Sequence, residues 1–110
     1  MIKLKLCLLV LFRRVNSLSH NNQQVIRDSI HRVDPNARIV LFGSRVDDQA
    51  RGGDIDLLVL SDRIGFDDLW PVRRDILDRI GWQKLDLIVE NEGQGLSPIA
   101  RVAMETGKRL

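Results

Sequence analysis

The 110-residue sequence has little cysteine, histidine or aromatic character, and each scarcity excludes something. Its one cysteine, Cys7, cannot form an internal disulfide, which fits a protein of the reducing cytoplasm. Neither His20 nor His31 has a cysteine or histidine neighbour at metal-ligand spacing, so we expect both on the surface or on a helix face. Aromatic residues make up 5% of the chain and no basic stripe accompanies them, so direct nucleic-acid binding is not expected.

The chain also lacks a dominant charge and a long hydrophobic run. Seventeen Lys and Arg against 15 Asp and Glu give a formal net charge of +2. The longest apolar run, residues 6–12, is too short to span a membrane, and Arg13 and Arg14 follow it instead of a signal-peptide cleavage site. We expect residues 1–18 to form an N-terminal extension, a helix or tail that docks its apolar residues. The alternatives are an extra strand on the domain and an over-extended translation start. The apolar run of this extension is a candidate surface for docking a partner or for a homo-oligomer.

The spacing of apolar residues over residues 19–110 predicts alternating helices and strands in one domain. Helix patterns cover residues 21–33, residues 68–80 and a segment from Ser97 to Gly107, and strand patterns cover residues 38–42, 55–60 and 84–90. A short helix or loop is expected between the first two strands. This order predicts the α/β class, with a small sheet flanked by helices.

Several large side chains are expected to pack inside this domain. Trp70 and Trp82 are more often core residues than base-stacking platforms, and Ile99 and Val102 follow a helical spacing that favours burial. Pro71 is expected in the first turn of its helix, because a proline further along removes a backbone hydrogen bond.

The connection between the first two predicted strands carries the most informative motif. One apolar run ends at Gly43-Ser44, and the next begins between Asp54 and Asp56. The two aspartates share the strand face opposite Ile55, and carboxylates so close together repel unless a cation lies between them. Mg²⁺ prefers such oxygen ligands together with substrate phosphates. If a helix begins at the Gly-Ser turn, its N–H groups offer a phosphate site.

A third aspartate, Asp86, lies within the apolar strand pattern of residues 84–90. A buried and unpaired carboxylate would cost several kcal/mol there. Asp86 therefore requires a cation, a hydrogen-bond network or an exposed strand face, and the sequence leaves these three open.

The combination of Gly43-Ser44, nine intervening residues and Asp54-Ile55-Asp56 resembles the signature of nucleotidyltransferases of the DNA polymerase beta superfamily. The small size is similar to that of minimal nucleotidyltransferases, which are often encoded beside a HEPN-domain partner. The resemblance covers residues 19–110 and implies a polymerase beta-like fold with a mixed sheet. The chain departs from the pattern in a short gap between Ser44 and Asp54. It also departs in Val46-Asp47-Asp48, which replace the small, basic residues often found after Gly-Ser-Arg.

The resemblance also implies roles for individual residues. Asp54, Asp56 and Asp86 would be the catalytic carboxylates and the ligands of two Mg²⁺ ions, with ATP as the substrate. Nucleotide binding would fall to a second set of residues: Gly43, Ser44, Arg45 and Gly53.

The implied reaction moves AMP from ATP onto a hydroxyl of a partner protein, as the antitoxin of a HEPN-type toxin. A chain of this length is expected to lack a separate acceptor domain, so the acceptor would come from the partner. Two alternatives stay open: a non-catalytic protein that neutralises its partner by occlusion, and transfer to a small molecule.

Overall fold

The computed structural model describes residues 18–42 and 55–110, which contain three α-helices and four strands. In chain order these are α1 (His20–His31), β1 (Arg38–Phe42), β2 (Ile55–Leu60), α2 (Phe66–Ile80), β3 (Leu85–Glu90), a 3₁₀ turn (Glu92–Gln94), α3 (Pro98–Thr106) and β4 (Lys108–Arg109). The predicted α/β class is confirmed. The short helix or loop predicted after β1, and residues 1–17 of the predicted extension, lie outside the described residues.

The strands form one sheet in the order β3–β2–β1–β4. β1 runs antiparallel to both β2 and β4, whereas β2 and β3 are parallel and are connected through α2. The mixed sheet implied by the resemblance is therefore confirmed. Within the described part of the chain, β3 forms one edge of this sheet.

Both faces of the sheet are covered, which explains the nearly continuous apolar sequence of β2. Leu57 and Val59 belong to a core that the sheet forms with α1 and α2 on one face. Leu58 and Leu60 point to the opposite face and pack with Ala100 and Ala103, the buried residues of α3.

Polar contacts fix the helix that connects the two parallel strands. Asp75 of α2 accepts hydrogen bonds from Ser29 Oγ at 2.6 Å and from Arg32 Nη1 at 3.0 Å, both in or at the end of α1. The Ser29 hydrogen bond is the largest cause of a lowered pKa at Asp75. α2 is thus held against α1 by charge-assisted hydrogen bonds as well as by the core.

The first turns of α2 differ from the prediction. The helix begins at Phe66, and the carboxylate of Asp68 accepts the N–H of Gly65 at 2.8 Å. Pro71 therefore lies in the second turn, not the first. It has no N–H for the carbonyl of Asp67, but both residues are exposed, so water can satisfy that carbonyl.

The expected burial of four large apolar side chains was wrong. Trp70 is 67% exposed and Trp82 is 79% exposed, while Ile99 and Val102 are about half exposed. Trp70 lies on the side of α2 opposite Val72, two positions away, and Val72 is the residue that enters the core. α3 buries only its small alanines, which let it approach the sheet closely and leave its larger side chains outside.

β4 was not predicted, because its two residues carry charge and show no apolar alternation. It pairs with Val40 and Leu41 of β1 directly after Gly107. A Cβ atom at Gly107 would lie 2.5 Å from Val40 Cγ1 and 2.6 Å from the Leu41 carbonyl oxygen. The glycine thus allows the end of α3 and the start of β4 to lie directly against β1.

Candidate active site

Three strands begin or end at one end of the sheet, where two of the predicted carboxylates lie. Phe42, the last residue of β1, is the register partner of Asp56 in β2. Asp56 is in turn the register partner of Asp86 in β3. The chain therefore leaves β1 for Gly43 beside the paired aspartates.

The backbone places both carboxylates on the same face of the sheet. Their neighbours Ile55 and Leu85 point into the core beneath α1 and α2, so Asp56 and Asp86 point to the other face. Asp56 is half-buried and Asp86 is exposed. Neighbouring strands are about 4.8 Å apart, so the two carboxylates are held as a pair. Of the three options that the sequence leaves for Asp86, the exposed strand face is the one observed, and the paired geometry also suits a cation.

Other predicted site residues fall in the part of the chain that is not described. These are Asp54 among the carboxylates and the whole predicted nucleotide-binding set: Gly43, Ser44, Arg45 and Gly53. Their roles stay predictions. Asp54 directly precedes the first residue of β2, and Gly43 directly follows the last residue of β1.

The paired aspartates have the donor chemistry that a divalent cation requires. Carboxylate oxygens are preferred ligands of Mg²⁺, and a cation would offset the repulsion between two adjacent carboxylates. Among the residues that the structure describes, no three His, Cys, Asp or Glu side chains come together as a metal site. Asp56 and Asp86 thus fit two carboxylates of the predicted three.

A depression next to Asp86 contains two residues that the sequence did not identify as part of the site. It has a volume of about 240 Å³ and is lined by Leu69, Trp70, Arg73, Leu85, Asp86 and Leu87. Arg73 donates from Nε to the carbonyl oxygen of Leu85 at 2.9 Å, and its guanidinium carbon lies 5.5 Å from the centre of the Trp70 ring. Trp70 lies off the buried stripe of α2, and this position is the signal that could have indicated a role for Trp70 in the site.

Two other carboxylates, those of Asp34 and Glu90, have structural roles. At the opposite end of the sheet, buried Asp34 accepts hydrogen bonds from Ser61 Oγ at 2.5 Å and from the Asn36 N–H at 2.9 Å. The Ser61 contact is the main cause of the lowered pKa of Asp34. Glu90 accepts hydrogen bonds from the backbone and hydroxyl of Ser97, which lower the pKa of Glu90 and fix the start of α3.

The comparison with protein families agrees with this arrangement. The family model of the nucleotidyltransferase domain matches residues 24–100, which include β1, β2, β3 and both paired aspartates. The chain belongs to this family, within the polymerase beta superfamily, and the family supports nucleotidyl transfer as its general activity. Such domains typically use a nucleoside triphosphate and a divalent metal ion. The comparison with curated proteins returned no match.

The apolar N-terminal run of residues 6–12 lies outside the described residues. No helix within residues 18–42 and 55–110 is long and apolar enough to cross a membrane.

Proposed function

We propose that the protein is a Mg²⁺-dependent nucleotidyltransferase that moves AMP from ATP onto a side-chain hydroxyl of a partner protein. The observation that carries this proposal is the pairing of Asp56 with exposed Asp86 where β2 and β3 begin. At the same end of the sheet, β1 ends and the chain enters the Gly43-Ser44 motif. Membership of the nucleotidyltransferase family supports the reaction class. We further propose a cytoplasmic antitoxin whose partner is a HEPN-type protein.

The proposed reaction forms a bond from the acceptor oxygen to the α-phosphorus of ATP and breaks the bond from that phosphorus to the pyrophosphate oxygen. Two bound Mg²⁺ ions would supply charge stabilisation for the attacking and leaving oxygens. Asp54 and Asp56 would hold the metal, and Asp86 would share in holding it on the acceptor side. Asp86 would also accept the proton of the attacking hydroxyl.

Triphosphate binding is assigned to the segment after β1. Backbone N–H groups at Gly43 and the hydroxyl of Ser44 would donate to the β- and γ-phosphates, and Arg45 would add positive charge. Gly53 would let the backbone approach the nucleotide closely.

The exposure of Asp86 supports an acceptor that arrives from outside the domain. In the described residues Asp86 lies on the edge strand, and the neighbouring depression is open to solvent. Positioning of two substrates provides much of the catalysis in such a transfer, so a partner that docks here would supply half of the active site.

Intact-mass spectrometry tests this proposal. The purified protein is mixed with the protein encoded beside it, ATP and Mg²⁺, and the neighbour is then weighed. We expect a mass increase matching one or more AMP groups, which is absent with Asp54→Ala. An unmodified neighbour, together with turnover of a small hydroxylated metabolite, would refute transfer to a partner protein and favour transfer to a small molecule.

Neutralisation by occlusion is the second candidate, and the exposed apolar side chains of α3 favour it. Ile99 and Val102 are each about half exposed and lie one turn apart on this helix. Such side chains are suited to contact a protein partner whether or not chemistry follows. The Asp56→Ala variant separates the two functions: suppression of toxicity by this variant in a stable complex indicates occlusion, whereas loss of suppression in that complex indicates chemistry.

A further inference from the structure

The outer side of β3 has backbone groups directed away from the sheet. Ile55 donates its N–H to the Lys84 carbonyl at 2.9 Å, and Ser61 donates to the Glu90 carbonyl at 3.0 Å. In a parallel ladder this places the hydrogen bonds of even-numbered β3 residues towards β2. The N–H and C=O groups of Leu87 and Val89 therefore point outward, where no strand of the described chain pairs with them.

α2 runs beside this edge and makes it one wall of a groove. Trp70 and Arg73 form the helix side, and Leu85, Asp86 and Leu87 form the strand side. Arg73 donates a hydrogen bond to the outward carbonyl of Leu85, so this carbonyl, next to Asp86, is not available to an added strand. Phe66 is 78% exposed and precedes Trp70 by four residues, so it lies on the same side of α2, one turn away.

We infer that this groove binds an extended segment of the acceptor polypeptide, which adds to the sheet as a strand beside β3 and presents its hydroxyl side chain at Asp86. The inference rests on the proposed function and names the form of the acceptor: an extended peptide rather than a helix surface or a free metabolite.

The spacing of the outward groups favours a peptide. Leu87 and Val89 each offer one N–H donor and one C=O acceptor, and the two residues are two positions apart. Another extended backbone matches this repeat, whereas a small molecule does not. Side chains of an added strand would alternate between the two faces of the sheet. Those on the face of Asp86 would include the hydroxyl, and those on the other face would contact Trp70, an exposed residue of a type that often dominates binding energy.

The first experiment uses a defined probe. Immobilised nine-residue peptides, randomised around a central Tyr, Ser or Thr, are incubated with the full chain, Mg²⁺ and ATP labelled at the α-phosphate. The best-labelled peptide is then added to the protein, and backbone hydrogen exchange is measured by NMR. We expect slower exchange at the amides of Leu87 and Val89 on peptide binding, because a strand that adds at this edge protects them.

The second experiment compares two exposed tryptophans. Trp70→Ala is expected to raise KM for the selected peptide about tenfold with little change in kcat. The matched control is Trp82→Ala, since Trp82 is more exposed and does not line the groove. Its KM should stay within about twofold, on the scale of a surface residue without a specific contact.

Binding of ATP and Mg²⁺ by the unaltered chain separates the two levels of the proposal. If the nucleotide does not bind, the proposed function itself fails. If it binds but no peptide is labelled, or a labelled peptide leaves both amides unprotected, the strand-addition inference is overturned. Equal effects of the two tryptophan variants on KM would also overturn it.

Discussion

Asp56 and Asp86 are direct register partners in the parallel strands β2 and β3, so the backbone ladder fixes the separation of their carboxylates. The N–H of Ile55 bonds to the carbonyl of Lys84 and anchors this end of the ladder one residue before the pair. A site built on paired strands is held more rigidly than one built on loops. The pair is therefore suited to hold a cation in a defined position.

The first prediction concerns metal-dependent stability. Ligands that bind only the folded state raise the melting temperature, so ATP with Mg²⁺ should raise the Tm of the unaltered protein. Asp56→Asn should remove most of that rise, because it removes a carboxylate ligand. Asp78→Asn is the control, since Asp78 is an exposed carboxylate on α2, outside the paired strands. A Tm rise in Asp56→Asn equal to that in the control would contradict the assignment of Asp56.

The second prediction separates the roles of the two paired carboxylates. Asp86 lies on the exposed edge strand, on the proposed acceptor side. We expect Asp86→Asn to lower kcat for nucleotidyl transfer by on the order of a hundredfold, a typical loss for one electrostatic group at a reacting centre. ATP affinity should change much less than it does in Asp56→Asn. Matched losses of ATP affinity in both variants would place Asp86 at the nucleotide instead.

The elements of this fold were predictable where periodicity or capping chemistry dominates. The Asp54-Ile55-Asp56 spacing at the start of one apolar run singled out Asp56. Asp86 was singled out by its place within another apolar run, because an acid there requires an explanation. Ser97 before Pro98 correctly located the start of α3, where the hydroxyl of Ser97 accepts the N–H of Ala100.

Long-range packing decided what the sequence did not reveal. β4 depends on the close approach of Gly107 to β1, which no local pattern of its two charged residues indicates. Trp70 and Arg73 became part of the candidate site only because α2 lies beside the edge of β3. Their local sequence is compatible with an ordinary surface or core position, so the groove follows from topology.

The third prediction concerns acid stability. Ser61 is the main cause of the lowered pKa of Asp34, so the folded-state pKa lies below the unfolded one. The stability that this lowered pKa contributes is fully present above about pH 4 and is lost as the pH falls through the folded-state pKa. Ser61→Ala should lower the unfolding free energy by about 1.5–3 kcal/mol at pH 7, the range for a hydrogen bond to a charged group.

Urea unfolding at pH 7 and pH 3 checks the third prediction. The loss of unfolding free energy in Ser61→Ala should be smaller at pH 3 than at pH 7. Some loss should remain at pH 3, because Ser61 Oγ also accepts the N–H groups of Arg63 and Ile64. Ser19→Ala is the control, since its hydroxyl caps α1 through the neutral N–H of Asn22. A Ser61→Ala deficit that is the same at both pH values would argue against the Asp34 contact as its cause.

The fourth prediction tests the packing of Gly107. Its added Cβ would meet Val40 Cγ1 and the Leu41 backbone, so Gly107→Ala should destabilise the fold by about 1–3 kcal/mol. Gly65→Ala provides the comparison, because the nearest atom to its added methyl group is 3.9 Å away. Thermal unfolding of the two variants should therefore show the larger loss at Gly107. A loss at Gly107 no larger than that at Gly65 would mean that the end of α3 adapts to the methyl group.

The most direct test of the central claim is calorimetric titration of ATP into the protein in the presence of Mg²⁺, with the Asp54→Ala Asp56→Ala double variant in parallel. We expect saturable binding by the unaltered chain that depends on Mg²⁺ and is lost in the double variant. Absence of binding by the unaltered chain, or unchanged binding by the double variant, would contradict a metal-dependent nucleotidyltransferase site where β2 and β3 begin.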